Sequence, residues 1–156
     1  MKTAYYDSPV GLLKITEADN HIIGLSLARG ESDANSDSSP LLSEAIKQLK
    51  EYFAGERFDF DLPVKQQGTD FQKKAWDYLS TIPYGTTVSY KNEAEAIGSA
   101  KASRAVGSAN GCNNIAIIVP CHRVINANNK LGGYAYGLEM KEYLLNMEKN
   151  FRKDRG

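Results

Sequence analysis

The alternation of apolar and polar positions predicts β structure over residues 3–28. Gly11-Leu12-Leu13-Lys14-Ile15-Thr16 and His21-Ile22-Ile23-Gly24-Leu25-Ser26-Leu27 flank Asp19-Asn20, a pair suited to a hairpin turn. His21, at the start of a strand, reads as a surface histidine. Glu31 to Pro40 is small and polar and predicts a loop. Apolar residues at 41, 42, 45, 46, 49, 52 and 53 then form one helical stripe, with Gly55 placed as a stop. Phe58-Asp59-Phe60-Asp61-Leu62 alternates again, predicting a strand closed by Pro63, and Val64 to Gly68 reads as a linker. Thr69-Asp70-Phe71-Gln72 has the spacing of a capping box and opens a helix to about Thr81, with Phe71 and Trp76 as core residues. Ile82-Pro83-Tyr84-Gly85 reads as a turn. Ser89 opens another helix, Gly98-Ser99-Ala100 breaks it, and Lys101 to about Asn110 forms a second, the outline of a helix-turn-helix. The last helix runs from Leu138 to about Glu148, with Leu138, Leu144, Leu145 and Met147 toward the packing side. A frayed basic tail is expected from Lys149 to Gly156.

At 156 residues and 42% hydrophobic, the chain suits one domain or two small ones. No apolar run approaches the ~20 residues of a membrane helix, and no secretory signal is evident. Two cysteines without Cys-x-x-Cys spacing favour a reducing compartment, so a cytoplasmic location is expected. The net charge of zero conceals an asymmetry: residues 1–70 carry 7 Lys/Arg against 12 Asp/Glu, a balance of −5, and residues 71–156 carry 12 against 7, a balance of +5. A basic half fits a polyanionic partner, although scattered solvated charge gives the same sum.

Two features within that basic half suggest chemistry. The helix after Gly98 is built from Ala102, Ser103, Ala105, Gly107, Ser108 and Ala109, leaving a thin surface from which Arg104 projects. Such a helix suits either tight internal packing or a DNA minor groove, which is only about 6 Å wide. Further on, Pro120-Cys121-His122-Arg123-Val124 follows the apolar run Ile115 to Val119 and sets a thiol beside an imidazole. Cysteine attacks as the thiolate, and histidine is a common means of forming one. Neighbours on an extended strand face opposite ways, so cooperation between Cys121 and His122 requires a turn here or a bridging water. Pro120 is compatible with a turn.

The Pro-Cys-His-Arg-Val core, together with Pro83-Tyr84-Gly85, Ser89-Tyr90, Arg104-Ala105-Val106-Gly107, Asn113, Gly133-Tyr134 and Lys141-Glu142-Tyr143-Leu144-Leu145 with Glu148, resembles the O6-alkylguanine-DNA alkyltransferases. The likeness runs from about Thr69 to Glu148. The expected fold is α+β: residues 1–65 read from their own pattern as a small N-terminal α/β domain of structural role, without candidate chemistry, and the likeness implies a mostly helical DNA-binding and catalytic domain with a helix-turn-helix over residues 66–156. It also implies repair by irreversible, single-turnover transfer of an alkyl group from O6-alkylguanine in double-stranded DNA to Cys121. O4-alkylthymine stays open as a second substrate. The base must be flipped out of the duplex to be reached. The expected protein is a monomer without cofactor.

By the same resemblance, His122 is the general base acting through water, Glu148 orients it, and Asn113 ties the turn to the site. Tyr90 donates to the base. Arg104 is the finger that replaces the flipped nucleotide, and Ala102, Ser103, Ala105, Gly107, Ser108 and Arg123 are its companions at the DNA. Tyr90, Val119, Tyr134, Ala135 and Tyr136 are expected in the base pocket, where the Tyr136 ring would narrow the mouth. Several positions depart from the family pattern. Asn114 and Ala116 stand where prolines are common, and Glu93 stands where an apolar side chain is usual. Cys112 replaces a glycine and reads as an inert thiol. Some members hold a structural zinc in the first domain; His21 is the one candidate ligand here, so no metal is expected.

Three competitors remain at this point: a lesion-binding relative without catalysis, a small cysteine hydrolase using Cys121 and His122, and a transcriptional regulator using the two helices. The first should lack the cysteine. The second leaves Arg104 unexplained, and the third has no need of Cys121, His122 and Glu148 together.

Overall fold

The computed structural model describes residues 1–28, 36–126, 128, 130–134 and 136–154, excluding the side chains of 153 and 154. The start of the expected 31–40 loop and Ala135 therefore lie outside the described residues. The chain divides into two compact units, Met1–Gln66 and Gln67–Gly156.

In the first unit, β1 (Lys2–Ser8), β2 (Gly11–Ala18) and β3 (His21–Leu27) form an antiparallel meander in that order. Asp19 and Asn20 both take positive φ, 51° and 62°, the conformation a two-residue turn of matching twist needs, so Ala18 pairs with His21. Helix α1 (Pro40–Phe53) is capped by Ser39, whose hydroxyl accepts from the Leu42 amide, and it buries Leu42, Ala45, Leu49 and Tyr52.

The strand expected over Phe58–Leu62 does not form. Its backbone at Asp61 is bonded by a side chain instead: Gln48 Oε1 accepts from the Asp61 amide at 2.9 Å, and Gln48 Nε2 donates to the Asp61 carbonyl at 3.1 Å. The carboxamide imitates a neighbouring strand for one residue. The segment meets β3 only at Val64, which bridges Ile22.

In the second unit, α2 (Asp70–Leu79) opens with the expected capping box, Thr69 and Gln72 bonding reciprocally. Strand β4 (Val88–Ser89) leads directly into α3 (Tyr90–Ala96), itself capped by Ser89 and Asn92. Gly98, at φ +82°, turns the chain, and α4 (Ser103–Gly111) follows. These helices form the expected helix-turn-helix, and Trp76 Nε1 ties α2 to α4 by donating to the Ala109 carbonyl at 2.8 Å. Strand β5 (Val124–Ile125) pairs parallel with β4, placing the residues just before β5 beside the start of α3.

Helix α5 (Leu138–Asp154) is longer than expected, and its stripe is shifted. Leu138 is exposed; Met140, Lys141, Leu144, Met147 and Glu148 face inward. The expected frayed tail is helical through Asp154, and Arg152 Nη1 donates to the Gly85 carbonyl at 3.0 Å.

Candidate active site

Cys121, His122 and Arg123 form a single 3₁₀ turn, so neighbouring residues project in directions that a strand would not allow. The apolar run before them is itself a tight turn, within which Ile117 takes φ 70°. A β-branched residue in the left-handed region is strained by roughly 1–2 kcal/mol, so the turn must be held from outside. Asn113 does that. Its Oδ1 accepts from the Ile115 amide at 3.1 Å, and its Nδ2 donates to the Val119 carbonyl at 2.8 Å and to Cys121 Sγ at 3.3 Å. One carboxamide therefore both braces the turn and touches the thiol.

Burial pushes the Cys121 thiol up to about 11, while the Asn113 hydrogen bond and the Lys141 charge pull it down. The resting group is a protonated thiol, and attack requires a base. His122 is wholly buried. Burial lowers its pKa against the opposing pull of Glu148, so the imidazole is neutral. Its Nε2 lies 2.7 Å from Glu148 Oε2. A carboxylate only accepts, so Nε2 carries the proton and Nδ1 is left as a lone pair, with no partner among the described residues.

Glu148 is fixed from several sides. Arg123 Nε donates to its Oε1 at 2.8 Å and Nη2 to its Oε2 at 3.1 Å, and the Gly85 amide reaches Oε1 at 3.3 Å. Burial alone would raise this carboxyl, but His122 and the Arg123 guanidinium hold it well below the usual carboxylate range. The sequence reading sets Arg123 among the DNA contacts. The structure corrects this: Arg123 is buried, and its Nη1 donates to the Ile82 carbonyl at 2.8 Å. It serves the carboxylate and presents nothing outward.

Cys121 opens onto a cavity of about 510 Å³, large enough for a small ring system. One helical face of α4, Ser103, Arg104, Gly107, Asn110 and Gly111, supplies one wall. Tyr90, Gly133 and Tyr134 supply others. The Tyr90 ring is wedged between two glycines. A Cβ on Gly107 would lie 3.7 Å from it, and a Cβ on Gly132, which takes φ +70°, would lie at 3.2 Å. The Tyr90 hydroxyl donates to the Gly133 carbonyl over a long 3.4 Å, a weak bond that a better acceptor can replace.

The remaining expected residues are spread more widely. Ala105 and Ser108 are exposed on another face of α4, and Ala102 caps the helix from outside it. Val119 is buried behind the turn, its carbonyl already accepting from Asn113 and from the Cys121 amide. Tyr136 does not line the cavity; its hydroxyl donates to the Asn113 carbonyl at 2.7 Å, bracing the loop that carries Cys121. The expectation that its ring narrows the mouth is therefore corrected. Cys112 is a free, exposed thiol.

Lys141 was given no role by the sequence reading. It is fully buried, and its Nζ donates to the carbonyls of Val124, Leu131 and Gly133, stapling the cavity loop to β5. Burial lowers it to about 8, opposed by Cys121. Its spacing to Leu144 and Glu148, three and seven residues on, is the one sequence signal that puts it on the packing face. Two further residues without a sequence signal are Asn110, which bonds the buried Glu93, and Asn126, which joins the cavity lining.

Residues 70–150 match the DNA-binding domain of 6-O-methylguanine DNA methyltransferase, and residues 1–66 match the ribonuclease-like domain of the same proteins. A methylated-DNA–protein-cysteine methyltransferase of Methanosarcina acetivorans is 45% identical, covering 95% of this chain and 98% of its own. The constitutive Bacillus subtilis enzyme of that name is also 45% identical, with 96% of each chain covered. A crystal structure of Mycobacterium tuberculosis OGT in complex with DNA superposes with a TM-score of 0.88 at 45% identity, over 97% of this chain and 94% of the other. With both units matched over nearly their whole length, and a buried thiol, imidazole and carboxylate gathered within the matched 70–150 domain, the chain belongs to the 6-O-methylguanine DNA methyltransferase family.

Proposed function

We propose that Cys121 is the alkyl acceptor of a DNA-repair reaction, with the residues around it in the following roles. The chain is a methyltransferase acting on DNA: it takes the alkyl group from O6 of a modified guanine onto a cysteine of its own. His122 Nδ1 accepts the thiol proton through a water, and its Nε2–H keeps the imidazole registered on Glu148. The sulfur attacks the alkyl carbon in line, the C–O6 bond breaks, and its electron pair passes to the guanine. The Tyr90 hydroxyl donates to the departing base and disperses that charge. A thioether is not a leaving group, so each molecule acts once.

DNA is bound through α4, with Arg104 standing in for the flipped nucleotide and Ser103 and Gly107 close to the backbone. Two observations favour this use of α4: its cavity face carries Arg104, and Cys121 opens onto the same cavity. The first unit has a structural role. Among the described residues no helix is long and apolar enough to cross a membrane. A cytoplasmic location fits a DNA substrate and two free thiols.

The observation that carries the reading is Cys121 Sγ in the cavity wall, bonded by Asn113 and backed by the His122–Glu148 pair. Its test is intact mass after mixing with a short duplex containing O6-methylguanine. The expected result is a gain of roughly 14 Da, one methylene, that disappears in Cys121→Ala. Tight binding of the lesion without any mass gain would overturn the catalytic assignment in favour of a lesion-binding role.

A further inference from the structure

Helices α3 and α4 meet in two successive rungs. The first is the Tyr90 ring against Gly107, inside the cavity that holds Cys121. One turn further along each helix, Asn110 Nδ2 donates to Glu93 Oε1 at 2.8 Å. This second rung is buried, with Glu93 at 0% exposure and Asn110, at the cavity wall, at 6%. Each partner also has an oxygen buried without a protein partner among the described residues, Glu93 Oε2 and Asn110 Oδ1.

With Glu93 ionised, both of those atoms are acceptors and neither has a donor. One proton resolves both at once. A neutral carboxyl offers an O–H, the carboxamide offers its oxygen, and acid and amide close through two hydrogen bonds in place of one. The surroundings favour the neutral form. The titratable groups that face Glu93 are Tyr78 from α2, Tyr90 from its own helix and Cys121 from the 3₁₀ turn, none of them a cation. Val88, Ser89, Val124 and Ile125 of the neighbouring strands are uncharged, and α4 contributes the Asn110 amide. Burial lifts the Glu93 carboxyl to about 7, the Asn110 hydrogen bond pulling the other way.

We propose that Glu93 and Asn110 are a positioning pair for alkyl transfer: clasped as acid and amide, they lock α3 to α4 and so fix the Tyr90 and Arg104 walls of the cavity. This rests on the reading of Cys121 as alkyl acceptor. When the proton leaves, one of the two bonds is lost, two acceptors are left facing each other, and the adjacent Tyr90–Gly107 rung loosens.

The test compares single-turnover transfer from an O6-methylguanine duplex in wild type and Glu93→Gln, from about pH 6 to about pH 9. Glutamine keeps both hydrogen bonds at every pH, so the rate ratio reports the ionisation of Glu93, which acts through the clasp and also through its charge on the Cys121 thiol. Asn110→Ala keeps that charge and lacks the clasp. Its rate should already lie below that of Glu93→Gln at about pH 6, and equal rates there would overturn the proposal. The ratio of wild type to Glu93→Gln is expected to fall about threefold or more as pH rises, around a midpoint near neutrality. A ratio flat with pH would overturn the proposal. Infrared spectra of the wild-type protein alone give an independent reading. A protonated carboxyl present at about pH 6 and lost toward about pH 9 supports the pair, and its absence at the lower pH sinks it. Failure of the Cys121 reading is distinguishable, because it would remove the mass gain from wild type itself and leave the infrared titration in place.

Discussion

In the first unit the large buried apolar side chains are Leu13, Ile15, Ile22, Leu25, Leu42, Leu49 and Tyr52, with Gln48 the one buried polar residue among those described. In the second, Glu93, Asn110, Asn113, His122, Arg123, Lys141 and Glu148 are buried beside Ile115, Val124 and Leu144. Burying an ionised group costs several kcal/mol unless partners satisfy it, and even good partners rarely return more than the cost. The second unit therefore carries a desolvation cost that the first does not. What it gains is a neutral imidazole, a fixed carboxylate and a turn that presents a thiol to a cavity. The first unit carries no such group and can follow ordinary packing rules.

The strongest way to break this contrast is Glu148→Gln. The substitution leaves Arg123 buried without its counter-charge and lets His122 lose its register. We expect a loss of about 3 kcal/mol in urea unfolding, with transfer slowed by roughly a hundredfold or more. The pH dependence has a definite sign. The carboxyl is held low in the fold, so its contribution is complete above the ordinary carboxylate pKa and is lost as pH falls below it toward the folded value. Wild type and Glu148→Gln should thus begin to converge in stability below about pH 4 and go on converging as pH falls further. A gap that does not narrow as pH falls would show that the carboxylate charge is not what stabilises the site.

Lys141→Met comes next. Methionine fills much of the volume but frees three carbonyls, and the loop carrying Gly133 and Tyr134 loses its tie to β5. A hydrogen bond to a charged donor is worth about 1.5–3 kcal/mol, so a loss of about 2 kcal/mol is expected. Because the Lys141 charge also draws the Cys121 thiol downward, the rate–pH profile should move to higher pH. A slower reaction with an unmoved profile would leave Lys141 as a staple and nothing more.

These residues also mark where sequence reading succeeds and where it stops. The Asp19-Asn20 turn, the Thr69 capping box and the α1 stripe are local: neighbours within four residues decide them, and all three form as expected. Cys121 and His122 stand out in the sequence as a thiol beside an imidazole, but only the family likeness names Glu148, since nothing in a spacing of 26 residues says that His122 and Glu148 touch. Arg123 was misplaced because an arginine beside a DNA-directed site reads as a phosphate contact until its partner is seen. Lys141 was passed over because lysine is nearly always solvated. The Phe58–Leu62 strand failed for a different reason. Alternation fixes which side chains point inward, but it does not say which group will bond the backbone.

That failure supplies the smallest and sharpest test of the contrast. Gln48 is the one buried polar residue among those described in the first unit, and its carboxamide takes the place of a strand at Asp61. Gln48→Leu keeps the apolar packing and leaves the Asp61 amide and carbonyl unpaired wherever water cannot reach them. Removing one partner of a buried pair costs about 1–3 kcal/mol; with Asp61 exposed, a loss at the lower end, about 1 kcal/mol, is expected in urea unfolding. The rate of transfer to Cys121 should not change, because the polar groups that shape the cavity all belong to the other unit. A stability loss with an unchanged rate would separate structural polar burial from catalytic polar burial within one chain. A matching fall in rate would mean that the first unit takes part in positioning the site, and the division of labour between the two halves would have to be redrawn.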